Sequence, residues 1–351
     1  MKRTFLALTA CMLAVCASSA ATAAGYCVVD LGTLDGTTSY AFDVNSRGQA
    51  VGFADSPQAY SSSRPVLYFN GQLIDLGTLG GPDGQAWAIN ERGQVVGWAN
   101  PSDDGPFAGG RFAFLYDHGS MIDLGTLGGE YSEAHGINDR GHVTGVSGLP
   151  DGTEHAFLYV NGSMSDLGTL GGDFSYGEGI SESGFVVGYS YLSENAASHA
   201  FRYRHGVMED LGSLGGSASV AFDVDNAGNV VGWSYTPDDA EYRAFLYAGG
   251  QMRDLGTLGG ANSAGLGMNE LGYVVGYAET DEGTVHAFLY ADGEMVDLND
   301  RIEPGNGWIL IEAWEIGAQG QIVGFGTKDG LGRGFILAPA PREAACRGQL
   351  N

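Results

Sequence analysis

The sequence has few cysteines, few basic residues and no long apolar segment after its first residues. Four of the 351 residues are cysteines, and two of these, Cys11 and Cys16, lie within the first 24 positions. After residue 24 no stretch reaches the roughly 20 apolar residues of a transmembrane helix, so no transmembrane segment is predicted. No window there carries a sustained helical period either, which leaves an all-β fold as the prediction.

Basic residues are scarce relative to acidic ones. The chain has 16 Lys and Arg against 42 Asp and Glu, a formal net charge of −26. Such a field repels nucleic-acid phosphates and anionic membrane surfaces, so a nucleic-acid partner is excluded. Cations, basic proteins and neutral glycans remain as partners, although acidity is also a common route to solubility.

Residues 1–24 have the features of a Sec signal peptide. Lys2 and Arg3 form a basic start, residues 5–17 are mostly apolar, and Ala21 to Ala23 fit a small-residue cleavage site. An alternative takes Cys11 as the lipidated residue of a lipoprotein, although the apolar run before it is very short. We therefore predict export to the periplasm or the extracellular space, a single domain over residues 25–340, and a C-terminal tail over residues 341–351.

Two cysteines remain after removal of the signal, one near each end of the chain. Cys27 and Cys346 form an even pair in a protein predicted to be exported, which favours a disulfide. The alternative is a pair of free thiols. A bond between them would close nearly the whole chain into one loop, and the chain-entropy model gives such a loop about 5 kcal/mol as an upper figure.

The pentapeptide Asp-Leu-Gly-Thr-Leu dominates the sequence. It starts at positions 30, 75, 123, 166 and 254, with a Ser variant at 210 and a shortened copy at 297. The intervals are 45, 48, 43, 44, 44 and 43 residues, and a fixed period in this range is typical of repeat architectures. Glycine accounts for 59 residues, and many glycines recur at fixed places within the repeat, as turn residues do.

Each repeat has four short runs rich in β-branched and aromatic residues, joined by turn signals such as Asn161-Gly162. Three of the runs recur seven times, and the strand missing after the last repeat stands at the N-terminus, at Tyr26 to Leu31. Seven four-stranded antiparallel units with this split closure predict a seven-bladed β-propeller whose N-terminal strand completes the last blade. An open β-solenoid is the alternative, but it does not explain the split repeat.

Three tripeptides mark a resemblance to a known family. His155-Ala156-Phe157, His199-Ala200-Phe201 and His286-Ala287-Phe288 each precede a copy or remnant of the pentapeptide. Over nearly the whole chain after residue 24 the sequence resembles the HAF-repeat family of bacterial exported proteins, which is named for this tripeptide. The resemblance implies export and a repeat architecture and carries over no catalytic residue. Four repeats depart from it, with Arg64, Phe112, Arg243 and Arg333 at the His position.

The recurring histidines and one acidic loop invite metal hypotheses. One His per repeat would place these side chains on different blades, whereas metal ligands must converge on one ion. We predict instead that His155 pairs across the hairpin with Asp166. Residues 223–228 resemble the start of a calcium loop, but Ser234 stands where the twelfth position needs Glu, so no EF-hand is predicted. No nucleophile, zinc or phosphate-loop motif occurs.

A binding face is predicted where the repeats differ. In a propeller the loops after the second strands and the links between repeats emerge on one face, and variable loops on a rigid scaffold commonly bind ligands. Small residues of the first strands, such as Ala41 and Ala134, are predicted at the crowded centre. The candidate binding residues are Tyr40, Tyr176 and Trp308, predicted in the links between repeats, and Asp43, Glu133, Asp223, Glu312 and Glu315, predicted near the axial mouth.

Three functions fit these residues. The first is a non-enzymatic, monomeric scaffold that binds a glycan or a protein at the cell envelope, with no cofactor. The second is a propeller glycosidase or lyase that uses axial carboxylates among Asp43, Asp223 and Glu315. The third is a purely structural envelope protein. Calcium bound by the axial carboxylates stays an alternative to an empty axis.

Overall fold

The computed structural model describes residues 25–56, 62–102 and 110–340. This part of the chain is all-β, with 28 strands and three short 3-10 helices at Ser193–Asn195, Pro237–Asp239 and Leu298–Arg301. None of its helices has the length and apolar character needed to cross a membrane. The predicted signal peptide and the predicted C-terminal tail lie outside the described residues.

The strands form four-stranded antiparallel meanders, which we call units. Unit 1 contains β2 (Ser39–Val44), β3 (Ala50–Ser56), β4 (Ser62–Phe69) and β5 (Gln72–Asp75). Unit 2 contains β6 (Gly80–Ile89), β7 (Val95–Pro101), β8 (Phe112–Asp117) and β9 (Ser120–Asp123). Unit 3 contains β10 (Ser132–Ile137), β11 (Val143–Gly148), β12 (Glu154–Val160) and β13 (Ser163–Asp166).

The remaining units repeat this order. Unit 4 contains β14 (Gly171–Ile180), β15 (Val186–Leu192), β16 (Ser198–Arg204) and β17 (Val207–Asp210). Unit 5 contains β18 (Ser219–Val224), β19 (Val230–Tyr235), β20 (Tyr242–Ala248) and β21 (Gln251–Asp254). Unit 6 contains β22 (Gly259–Met268), β23 (Val274–Thr280), β24 (Val285–Ala291) and β25 (Glu294–Asp297). Unit 7 contains β26 (Trp308–Ile316), β27 (Ile322–Lys328), β28 (Leu331–Pro339) and the N-terminal β1 (Tyr26–Asp30).

Two details of the sheets differ from a simple series of units. Units 3 and 4 join into one eight-stranded sheet through a single parallel contact between Glu154 and Phe174, so the strands form six sheets. In unit 7 the N-terminal strand β1 pairs antiparallel with β28, with Asp30 opposite Phe335 and Cys27 opposite Ala338. The predicted pairing of the N-terminal strand with the last repeat is therefore confirmed.

The recurring pentapeptide forms a turn that needs each of its residues. In unit 3 the Asp166 carboxylate accepts a hydrogen bond from the Gly168 N–H at 2.7 Å, and Leu167 is only 9 % exposed. The Thr169 hydroxyl donates to the Gly172 carbonyl at 2.8 Å. Gly168 has a φ of 74°, which a residue with a side chain rarely adopts. Because the turn repeats, the pentapeptide is a structural signature rather than a catalytic one.

The recurring His-Ala-Phe tripeptide also has a structural role. His155 Nδ1 lies 2.9 Å from the Asp166 carboxylate, and Phe157 stands directly opposite Asp166, as predicted. His199 with Asp210 and His286 with Asp297 repeat this pair at 2.8 and 2.6 Å. Arg64 replaces His in unit 1 and binds Asp75 at 3.1 Å. The phenylalanine at this position is fully buried in units 2 to 7, at Phe114, Phe157, Phe201, Phe245, Phe288 and Phe335, and Val66 takes its place in unit 1.

Buried serines join several of the units to their neighbours. The Ser175 hydroxyl accepts from the Ala156 N–H at 2.9 Å and donates to the Gly168 carbonyl at 2.6 Å. It therefore links β14 of unit 4 to β12 of unit 3 and to the turn between them. Ser132, Ser219 and Ser263 make the corresponding bonds in other units.

Amide side chains make a second set of links at the turns between first and second strands. Asn45 Nδ2 donates to the Asn90 carbonyl at 3.1 Å, and Asn90 Nδ2 donates to the Asn138 carbonyl at 3.0 Å. Gln321 of unit 7 donates to the Asn45 carbonyl of unit 1 at 3.1 Å. The last unit thus contacts the first through the same kind of bond that joins consecutive units.

Candidate functional site

A cavity of about 400 Å³ lies where the first strands of the units converge. All seven first strands, from β2 to β26, contribute to its wall. Its lining residues are Phe42, Asp43, Trp87, Ala88, Glu133, His135, Gly136, Ile137, Glu178, Gly179, Ile180, Phe222, Asp223, Leu266, Trp314 and Glu315. We call this space the axial cavity.

A β-bulge in every first strand decides which side chains reach the axial cavity. In β2 the register shifts between Ala41 and Asp43, so that Phe42 is the extra residue. The same shift occurs in the other six first strands. The seven extra residues, which we call the bulge residues, are Phe42, Trp87, His135, Glu178, Phe222, Leu266 and Trp314, and all of them line the cavity. Bulges commonly redirect a side chain next to a functional site.

The bulges correct one prediction. Small residues such as Ala41 and Ala134 are fully buried, but they pack in the hydrophobic clusters between units and do not line the axial cavity. The bulge residue that follows each of them faces the cavity instead. Because the bulge turns the next residue towards the cavity, aromatic and charged side chains line it instead of small ones.

Three aromatic bulge residues form a cluster on one side of the cavity. The ring of Phe42 stacks on that of Trp87, with centroids 4.3 Å apart, and meets Trp314 edge-on at 5.1 Å. Trp87 and Trp314 are 6.1 Å apart at an interplanar angle of 70°. Trp87 Nε1 is buried and has no hydrogen-bond partner among the described residues. The rings belong to units 1, 2 and 7 and we call them the aromatic cluster.

Three carboxylates follow bulge residues and also reach the cavity. Asp43 accepts hydrogen bonds from the Val44 N–H at 2.6 Å and from the Ile89 N–H of unit 2 at 2.7 Å. Asp223 makes the equivalent bonds, to Val224 at 2.7 Å and to Met268 of unit 6 at 2.8 Å. Glu315 accepts only from Ile316 N–H, at 2.8 Å. We call Asp43, Asp223 and Glu315 the axial acids.

The environment of the axial acids disfavours their charged form. Burial raises the pKa of Asp43 to about 7, despite its two backbone hydrogen bonds, and the nearby charge of Asp223 adds to the increase. Burial raises the pKa of Asp223 to about 6. For Glu315, burial and then the charges of Asp223 and Asp43 raise the pKa well above its ordinary value. All three axial acids line the axial cavity.

A histidine and two glutamates form another part of the wall, next to Trp87, whose ring centroid lies 5.8 Å from that of His135. His135 Nδ1 lies 3.0 Å from Glu178 Oε2, and His135 Nε2 lies 3.6 Å from Glu133 Oε2. Burial lowers the pKa of His135, but the two carboxylates outweigh it and raise that pKa to about 10. Arg111 binds Glu133 at 2.8 Å and lies 4.3 Å from the centroid of the Trp98 ring. This group is therefore charge-balanced within itself.

The predicted residues Tyr40, Glu133, Tyr176 and Glu312 occupy one register position in their units, opposite a residue of the second strand. Tyr40 is stacked between Phe53 at 4.8 Å and Phe325 at 4.0 Å. Tyr176 stacks on Tyr189, and its hydroxyl donates to Glu154 at 2.5 Å. Glu312 accepts from Trp314 Nε1 at 3.0 Å.

The placement of three aromatic candidates differs from the prediction. Tyr40, Tyr176 and Trp308 were predicted in links between repeats, but all three lie within strands, because the first strands extend further than the residue pattern indicates. Trp308 does not line the axial cavity. It packs on the core of unit 7 and meets the Phe335 ring edge-on at 6.0 Å, so its role is structural.

Metal binding has little support in the described part of the chain. No group of three or more His, Cys, Asp and Glu side chains is placed there to hold a metal ion. The oxygens of Asp43 and Asp223 already accept backbone hydrogen bonds.

Most bulge residues, above all His135 and the aromatic cluster, were not predicted from the sequence. A signal for them was present: in every first strand a small residue stands three positions before an apolar one, as in Ala41 and Val44 or Ala313 and Ile316. Such an odd spacing, repeated seven times, indicates an extra residue in the strand.

No family model matches the sequence, and none of the curated proteins matches it. Solved structures do resemble the fold. The β-propeller domain of the Trilobed protease from Pyrococcus furiosus matches with a TM-score of 0.55 and 11 % identity, over 88 % of this chain and 100 % of that chain.

Two further structures resemble the chain to a similar degree. A puromycin-hydrolyzing peptidase from Mycobacterium tuberculosis matches with a TM-score of 0.57 and 11 % identity, over 90 % of this chain and 56 % of that one, so the chain spans little more than half of its length. YCF48 bound to D1 peptide matches with a TM-score of 0.52 and 11 % identity, over 92 % and 97 % of the two chains. At this identity the likeness concerns the fold alone, and the fold is a β-propeller.

Proposed function

We propose that this protein is an exported, monomeric, seven-bladed β-propeller of the HAF-repeat family. Its function is to bind a glycan or a protein segment over the axial cavity, at the cell envelope and without catalysis. Seven four-stranded units, β1 pairing in unit 7, and the bond from Gln321 to Asn45 support seven blades in a closed ring. The signal-like residues 1–24 and the HAF tripeptides support export and the family.

One observation carries the binding function. The residues that the units share, such as Ser175, Asp166 and Asn138, serve turns, hairpin pairs and links between units. The bulge residues differ instead, as Phe, Trp, His, Glu, Phe, Leu and Trp, although each has the same position in its strand. All seven face one cavity. Seven side chains of different chemistry that converge on one cavity of a rigid scaffold are suited to recognising one ligand.

The aromatic cluster and the carboxylates suit the proposed ligands. Aromatic rings pack against the apolar faces of sugars and against side chains, and carboxylates accept hydrogen bonds from hydroxyl and amino groups. The propeller of YCF48, which this fold resembles, was solved with a peptide bound.

The enzyme alternative depends on the axial acids. A typical glycosidase uses two carboxyl groups in one cavity, and the one that acts as general acid has a raised pKa. However, Asp43 and Asp223 each hold backbone N–H groups of two units with their oxygens, which gives them a structural task. We therefore place binding before catalysis.

Export makes a disulfide between Cys27 and Cys346 part of the proposal. Cys27 lies opposite Ala338 near the end of β28. Cys346 lies outside the described residues, eight positions further along the chain. The bond would tie the tail to the strand that closes unit 7.

The proposal is tested with residues 25–351 against immobilised glycans and peptides by biolayer interferometry. We expect one class to bind and Phe222→Ala, which removes a ring from the cavity wall, to weaken that binding at least about tenfold. Val207→Ala is the matched control, because Val207 is 65 % exposed on an outer strand. Binding that Phe222→Ala leaves unchanged, or binding of neither class, would contradict the proposal.

The same ligand decides between binding and catalysis. After prolonged incubation with the protein, mass spectrometry should recover the ligand intact. Cleavage products that disappear with Glu315→Gln would establish the enzyme alternative instead.

A further inference from the structure

We propose that the axial cavity binds an alkylammonium group, held between the aromatic cluster and the carboxylates of Glu315 and Asp43. This inference rests on the proposed binding function and names the chemical group that the ligand must present. It concerns a site that neither the repeat pattern nor the fold assigns.

Some of the acidic side chains around the cavity have a basic partner and others have none. Glu133 and Glu178 are paired with His135, and Glu133 is also paired with Arg111. The axial acids, in contrast, have no Lys, Arg or His within ion-pair distance among the described residues. Their closest charged neighbours are acidic, including Glu91 near Asp43 and Asp225 and Glu270 near Asp223. The carboxyl groups without a basic partner in the cavity wall are therefore those of Asp43, Asp223 and Glu315, whereas Glu133 and Glu178 are paired.

The aromatic cluster indicates an organic cation. The cluster stands beside the axial acids because Phe42 and Trp314 directly precede Asp43 and Glu315 in their strands. An alkylammonium group would interact favourably with the aromatic cluster in two ways. The aromatic rings attract its positive charge electrostatically, and they pack against its alkyl carbons. A bare metal ion gains little from indole rings, and no set of three metal-ligating side chains is present in the described part.

Neutral ligands fit this part of the wall less well. A hydroxyl group could accept a hydrogen bond from a protonated axial acid or donate one to Glu315, but unlike an ammonium group it would not compensate the negative charge of an axial acid in its ionised form. The cavity volume of about 400 Å³ is at the small end of ligand sites. An unbranched amine of four carbons, such as the end of a lysine side chain, fits within this volume and carries a positive charge.

The first experiment compares a cation with its neutral isostere. Isothermal titration of residues 25–351 at pH 8 and low salt is carried out with n-butylammonium chloride and with n-butanol. We expect the ammonium ion to bind at least about tenfold more tightly than the alcohol. Nα-acetyl-lysine-methylamide is titrated in parallel. Tighter binding of this compound than of n-butylammonium identifies a peptide-borne lysine as the source, and the reverse order identifies a free amine.

Variants locate the binding. Glu315→Gln keeps an oxygen that can accept from Ile316 N–H but removes the charge, and we expect it to weaken n-butylammonium binding at least about tenfold. Trp314→Phe keeps an aromatic ring but weakens its attraction for a cation, and we expect a loss of about threefold. Glu294→Gln removes one charge from an exposed strand position and should leave the affinity unchanged.

Two results would overturn the inference: equal affinity for n-butanol and n-butylammonium, or ammonium binding that Glu315→Gln and Trp314→Phe leave unchanged. The wild-type comparison remains decisive even if a variant does not fold. If n-butylammonium does not bind, the proposed function can still hold, because a glycan or peptide can bind in dependence on Phe222 without any ammonium group. If n-butylammonium binds but no glycan or peptide of the panel does, the cavity is a small-molecule site only and the proposed function is wrong.

Discussion

His135 Nδ1 lies 3.0 Å from Glu178 Oε2, and this contact joins the bulge residues of units 3 and 4 in the wall of the axial cavity. Glu133, two residues before His135 in β10, completes the group from the other side. The partly buried imidazolium of His135 is tolerated because two carboxylates compensate its positive charge. One of them lies within hydrogen-bond distance and the other slightly beyond it.

This contact predicts that His135→Gln destabilises the protein by on the order of 3 kcal/mol at pH 6, because the mostly buried Glu178 loses its cationic partner and Glu133 keeps only Arg111. Since the pKa of His135 is raised to about 10, its contribution is fully present below the ordinary pKa of about 6.5 and is lost as the pH rises through about 10. The loss on substitution should therefore be largest near pH 6 and smallest near pH 10. Thermal midpoints measured across this range check the prediction.

The control for this series is His118→Gln, because the His118 side chain is 89 % exposed. Its midpoint should follow that of the wild type at every pH. A loss for His135→Gln that is the same at pH 6 and pH 10 would show a packing effect instead of an ion pair.

Glu315→Gln should stabilise the free protein at pH 8. A carboxyl group whose folded pKa is raised stabilises the fold while protonated, below its ordinary pKa, and loses this contribution as the pH rises through the raised value. The amide never carries the charge and keeps an oxygen for Ile316 N–H. We expect a gain on the order of 1 kcal/mol at pH 8 and none near pH 4, measured by urea unfolding. Glu294→Gln should show no such trend, and a loss at pH 8 would indicate that Glu315 already has a cationic partner.

Ser175→Ala should lower the free energy of unfolding by about 2 kcal/mol. The substitution leaves the buried N–H of Ala156 and the carbonyl of Gly168 without this hydrogen-bond partner. Ser163→Ala, at an exposed strand position, is the matched control and should change the free energy by less than about 0.5 kcal/mol. Equal effects of the two changes in urea unfolding would remove the structural role that we assign to the recurring buried serines.

Cys27→Ser should lower the thermal midpoint of the oxidised mature protein to that of the wild type in reductant. The physical reason is the loss of a loop closure worth at most about 5 kcal/mol. Alkylation followed by intact-mass measurement checks the bond directly, since the oxidised wild type should take up no alkyl group. Uptake of two groups without reductant would favour the alternative of free thiols.

The fold was largely predictable because its determinants are local and repeated. The Asp166 turn, the pair of His155 with Asp166, and the register that sets Phe157 opposite Asp166 all depend on residues close together in sequence, so a repeated pattern reveals them. The pairing of β1 with β28 followed from counting strands, because a repeat that lacks one strand at its end and has one at its start closes most simply on itself.

The candidate site was predictable only in part. Asp43, Asp223 and Glu315 were selected because they are carboxylates near the predicted axial mouth at positions that vary between the repeats. His135 and the aromatic cluster were not recognised, since a regular strand alternates its side chains and gives no reason for Phe42 to face the same space as Asp43. Trp308 was selected for its unusual surroundings in the sequence, and the packing of unit 7 gives it a structural role.

The sequence by itself determined the repeat, the strands, the turns and their order, because these depend on neighbouring residues and on hydrogen bonds within hairpins. The tertiary structure alone decided that seven bulge residues from positions up to 272 apart, Phe42 and Trp314 among them, meet in one cavity. It also decided the charge state of the groups there. The pKa values of Asp43 and His135 move in the direction that their surroundings impose, and those surroundings exist only when the first strands of the units converge on the axial cavity.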